Sequence, residues 1–93
     1  MLEKINHKSA PKEVVNALVA LYHQGKFDEI LKQENELINL YPDSVDLYNI
    51  FGSTNLALNQ FKCAIGNFKK AIKINPKLPV IFYNLGLSFH YDK

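Results

Sequence analysis

The chain echoes itself at an interval of 34 residues. Gly25 is answered by Asn59, Phe27 by Phe61 and Pro42 by Pro76. The run Tyr48, Phe51, Gly52, Asn55 returns as Phe82, Leu85, Gly86, Phe89, and "LINLYPDS" finds its echo in "AIKINPKLP". Between these landmarks the apolar residues recur every three to four positions, which is the period of a helix face and not of a strand. Each 34-residue unit therefore reads as two helices closed by a proline. A unit of that size cannot bury its own apolar face, so successive units must stack.

Five helices follow from this reading. Pro11 suits a first turn, where its missing N–H costs nothing, and Val14, Leu18, Leu21 and Tyr22 mark one face up to Gln24. Gly25 stands where a helix commonly ends in a left-handed residue. The second helix begins near Phe27, with Asp28 and Glu29 at its positive dipole end, presents Ile30, Leu31, Leu37 and Ile38, and stops before Pro42. Asp43 or Ser44 caps the third helix, and Asn59 tolerates the left-handed turn after it. The fourth carries Phe61, Ala64, Ile65, Phe68, Ala71 and Ile72 on one stripe and ends at Pro76; Pro79 opens the fifth.

This pattern resembles the tetratricopeptide repeat (TPR) family, whose units carry an aromatic, Leu-Gly and Tyr in the first helix and Ala, an aromatic, Ala and Pro in the second. The middle unit supplies Tyr48, Phe51-Gly52, Ala64, Phe68, Ala71 and Pro76. The resemblance implies an all-α fold, an α-α superhelix (helical-hairpin solenoid) of about two and a half repeats. The expected division is an N-terminal segment over 1–10 and the repeat array over 11–93: units 11–44 and 45–78, then the first helix of a third, 79–93. The first unit departs from the pattern, with Leu18, Ile30 and Leu37 where the second has Gly52, Ala64 and Ala71. Glu34 replaces the aromatic and Asn55 the usual Tyr. A buried carboxylate needs a partner, so Glu34 is expected either near Asn55 or Tyr48, or turned into solvent.

Little in the sequence can carry catalysis. The three histidines, His7, His23 and His90, have no metal-ligand spacing to one another or to Cys63. Cys63 reads as a small packing residue of the fourth helix, and Gly52 and Gly86 as sites of close helix approach. The expectation is no enzyme activity, no cofactor and no metal. The lone cysteine excludes an internal disulfide, and no apolar run suits a signal peptide or a membrane span, so a cytoplasmic setting is expected. Residues 1–46 hold five Lys against eight acids, and residues 47–93 six Lys against one. Without Arg the basic half lacks the planar fork that reads base edges; Lys62, Lys69, Lys70, Lys73 and Lys77 read as a solvated face rather than a nucleic-acid site.

What remains is surface. The resemblance implies a concave groove lined by the first helix of each unit and occupied by a segment of a protein or peptide partner. Its candidate residues are Val15, Asn16, Val19 and Tyr22, then Asn49, Ser53 and Leu56, then Tyr83, Asn84, Leu87 and His90. Val15, Val19 and Val80 leave little room for the lysines that clamp a terminal carboxylate in some members of the family. The third unit has no second helix here, so Phe82, Leu85 and Phe89 lack a partner, which implies a homo-oligomer formed through that end. The chain is thus read as a non-catalytic interaction module. The alternative is the N-terminal partner-binding part of a larger enzyme, such as a glycosyl-, sulfo- or methyltransferase.

Overall fold

The computed structural model describes residues 9–93, and the bulk of the expected N-terminal segment, His7 included, lies outside the described residues. Among the described residues there is no strand. The helices are α1 (Lys12–His23), α2 (Phe27–Lys32), α3 (Glu34–Leu40), α4 (Val45–Ala57), α5 (Phe61–Ile74) and α6 (Pro79–Tyr91).

The helix ends follow local chemistry. Gly25 takes φ +73° and Asn59 φ 61°, the left-handed region that each residue tolerates. Both turns close in the same way: Lys26 N–H reaches Leu21 O at 2.9 Å and Gln60 N–H reaches Asn55 O at 2.8 Å, the six-to-one bond of a Schellman motif. Ser44 caps α4 by accepting from Leu47 N–H at 3.4 Å, and Pro79 occupies the first turn of α6.

The second helix of the first unit is broken in two, where the sequence pattern predicts one. Gln33 N–H donates to Ile30 O, three residues back, at 3.1 Å. The Glu29 carbonyl, its partner in a regular helix, instead accepts from the Gln33 side chain at 3.1 Å. The glutamine side chain thus stands in for a backbone bond, and the turn tightens at the boundary of α2 and α3.

Two apolar clusters meet on α4. The first joins Leu18 of α1, Ile30 of α2 and Leu37 of α3 to Leu47 and Phe51. The second joins Tyr48 to Ala64, Phe68 and Ala71 of α5 and to Ile81 of α6. Successive residues of α4 thus serve different units: Leu47 faces backward and Tyr48 forward. The molecule measures 50 × 28 × 19 Å, elongated as a stack of units is.

Gly52 sits where the packing is tightest. A Cβ built on it would lie 2.6 Å from the Phe68 ring, so only glycine lets α5 approach α4 this closely. Gly86, its counterpart one unit on, is different: nothing lies within 4 Å of a Cβ built there. Close packing therefore explains Gly52 and not Gly86. Cys63 is exposed rather than packed, because the buried stripe of α5 runs through Ala64, Asn67, Phe68 and Ala71.

Candidate partner-binding surface

The first helices of the three units, α1, α4 and α6, are neighbours in sequence order, with α4 touching both others. Their charges are confined to the first turns, at Lys12, Glu13 and Asp46; α6 carries none. The lysines of α5 are all exposed. Among them Lys62 pairs with Asp92 at 3.2 Å, and Lys69 lies 5.6 Å from the centre of the Phe89 ring.

Between α1 and α4 the structure forms two clefts. One, of about 170 Å³, is lined by Val19, Tyr22, His23, Ile50 and Ser53. The other, of about 440 Å³, is lined by Ala10, Lys12, Val15, Asn16 and Asp46. The lining residues rise together along both helices, so α1 and α4 run parallel and the clefts lie end to end. Tyr22 forms a fixed wall of the first cleft. Its ring meets Phe27 edge-on with centroids 5.4 Å apart and His23 at 6.2 Å. Further along, Asn84 of α6 donates to Asn49 of α4 at 3.3 Å.

The structure thus gathers Val19, Tyr22 and Ser53 around one cleft, Val15 and Asn16 around the other, and joins Asn49 to Asn84. Tyr83 is 67% exposed and stands clear of the clefts. His90 is exposed with its ring edge-on to Tyr91, and Leu87 is half-buried. Leu56 is half-buried against the second core cluster. Ala10, Lys12, His23, Asp46 and Ile50 also line the clefts and stand outside the groove set expected from the sequence. Asp46, Ile50 and Ser53 fall at i, i+4 and i+7, a spacing that would have found them.

At the far end, Phe82 and Phe89 are 47% and 50% exposed. Leu85 differs from the expectation: it is half-buried against the second cluster and so has partners within the chain.

Glu34 meets a residue that the sequence reading did not name. Its carboxylate accepts from Asn67 at 3.4 Å, and the same amide group donates to Asn55 at 2.7 Å. Asn55 in turn donates to Gln60 at 2.9 Å. The Glu34 carboxylate thus bonds neither Asn55 nor Tyr48, the partners expected for it; Asn67 stands between, in a chain of side-chain amides that satisfies two buried asparagines. The hydroxyl of Tyr48 donates to Pro42 O at 2.9 Å. Burial, then the neighbouring Asp43 carboxylate, pushes the Tyr48 hydroxyl above its ordinary pKa of 10.0.

Among the described residues no three of His, Cys, Asp and Glu come together in a way that could hold a metal ion. Nor is any helix there long and apolar enough to cross a membrane.

Comparison with known proteins gives the surface a context. Residues 52–91 match a family model described as TPR repeat. Over 69 residues the chain is 28% identical to "Rhomboid protease GluP" of Bacillus subtilis (strain 168). That stretch covers 74% of this chain and 14% of the relative, so the chain spans a small part of that protein's length. No solved structure matches the chain.

Proposed function

Since residues 52–91 match a family model described as TPR repeat, we propose that the chain is a non-catalytic protein-interaction module, holding a segment of a partner protein along α1, α4 and α6. The observation that supports this most is the division of the surface. Charges are spread along α2, α3 and α5, while on the first helices they are confined to the opening turns at Lys12, Glu13 and Asp46, leaving clefts between α1 and α4, amides and half-exposed apolar side chains. A surface of that kind desolvates cheaply and still supplies hydrogen bonds, as the centres of protein interfaces do. A cytoplasmic setting fits the lone exposed cysteine. Selection of peptides from a random displayed library on the intact chain is the test. Binders should lose affinity for Val19→Phe or Ser53→Leu, which fill the cleft between α1 and α4; binders indifferent to every change on α1, α4 and α6 would refute the reading.

A second reading keeps the same surface but makes it the partner-binding part of a larger enzyme. The likeness to a stretch of a rhomboid protease, 14% of that protein's length, is the observation that favours it. Reading the gene downstream of Lys93 separates the two: a stop codon supports the first, a further domain the second.

The exposed face of α6 supports a second contact. Phe82 and Phe89 flank Gly86 at i−4 and i+3 and are 47% and 50% exposed, with Lys69 over the Phe89 ring and open space at Gly86. A second copy laid across that face would cover both rings.

A further inference from the structure

From the clefts between α1 and α4 we infer the chemistry of the partner segment: an extended peptide anchored by one bulky uncharged apolar side chain, with a polar residue about three positions away. The inference rests on the reading of this surface as a partner site.

The anchor belongs in the cleft of Val19, Tyr22, Ile50 and Ser53. Its volume of about 170 Å³ is close to that of a cavity, roughly 150 Å³, that accepts benzene when lined by aliphatic and aromatic side chains. A leucine or phenylalanine side chain is of this size. Val19 and Ile50 supply aliphatic walls from facing helices. The Tyr22 ring is already held by Phe27 and His23, so little freedom is lost when a ligand arrives. No carboxylate or lysine lines the cleft, and its one titratable neighbour, His23, has its ring edge-on to Tyr22. A charged side chain entering it would shed water for little electrostatic return. The Ser53 hydroxyl lines the same cleft, a hydrogen-bonding group for the peptide backbone beside the anchor.

The neighbouring cleft has the opposite character. Lys12 and Asp46 face it from the first turns of α1 and α4, with Asn16 between. A cation and an anion at one site complement a dipolar or amide-bearing side chain better than an apolar one. From the middle of the first lining set on α1 to that of the second is about seven residues. That corresponds to roughly 10 Å at 1.5 Å per residue, a distance bridged by about three residues of extended chain.

The test uses three small probes on the intact chain: N-acetyl-leucinamide, N-acetyl-glutamate amide and N-acetyl-lysine amide. Each is titrated while the backbone resonances of Val19, Ile50 and Ser53 and the methyl resonances of Val19 and Ile50 are followed by NMR. The leucine probe should give saturable shifts there in the millimolar range, and the charged probes none. Ser53→Leu and Val19→Phe fill the cleft from opposite helices. Whichever variant keeps a dispersed, folded spectrum should abolish the leucine shifts. Equal shifts from the charged probes, or none from the leucine probe, would overturn the anchor. If library-selected peptides still mapped to α1, α4 and α6 in that event, the anchor alone would fall. If no selected peptide mapped there either, the interaction reading would fall with it.

Discussion

Gly52 and Gly86 hold the same position in successive units, yet a methyl group added at each meets opposite surroundings. At Gly52 it would press on the buried Phe68 ring at 2.6 Å; at Gly86 it would meet nothing. Helix propensity favours alanine over glycine at both by about 0.5–1 kcal/mol. Overpacking a filled core costs more than that, so Gly52→Ala should lose about 1–2 kcal/mol net. Gly86→Ala should gain about 0.5–1 kcal/mol. Urea melts of the two variants check the signs, and equal shifts would contradict the packing described. Tyr48 gives a pH-dependent counterpart. Burial raises its pKa in the folded state, so folding keeps the hydroxyl protonated where the unfolded chain releases the proton. Its stabilising contribution is complete below about pH 10, the unfolded value, and is lost as pH rises through the folded value. Tyr48→Phe should remove that component of alkaline destabilisation, at a cost of about 0.5–1.5 kcal/mol at neutral pH for the lost bond to Pro42 O. Denaturant titrations of both proteins from pH 7 to 11 measure it.

At the scale of elements, helix ends were legible in the sequence because each rests on one residue's own chemistry. The left-handed turns at Gly25 and Asn59, the Ser44 cap and the Pro79 start are local statements, and the structure has all of them. The break at Gln33 was not legible. It depends on a side chain exchanging with a backbone donor for Glu29 O, and glutamine is otherwise an ordinary helix residue. Glu34 signalled trouble at the right place, but its partner Asn67 lies 33 positions away in the next unit. Cys63 and Gly86 were misread for a related reason: their types suggest packing, but burial depends on which helix lies opposite. For α6, Phe82 and Phe89 remain half-exposed around an unobstructed glycine. The proposed self-association should appear in sedimentation velocity as a concentration-dependent rise in mass, abolished by Phe82→Glu with Phe89→Glu. A parent chain that stays monomeric at high concentration would contradict it.

Across the whole molecule, the fold is one stack threaded on α4, which contributes to both core clusters and touches every other helix. The 34-residue echo made that stacking legible, because a repeated pair of amphipathic helices has few other ways to bury itself. The candidate surface was half legible. The resemblance named Val15, Asn16, Val19, Tyr22 and Ser53, which line the two clefts, whereas the pairing of α1 with α4 into clefts of contrasting chemistry needed three dimensions. Partners should bind along the first helices of the units, and a ¹H–¹⁵N NMR footprint of a library-selected peptide on the intact chain decides it. Shifts should concentrate on Val15, Val19, Tyr22, Asn49, Ser53 and Asn84 of α1, α4 and α6; shifts centred on the exposed lysines of α5 would contradict binding there.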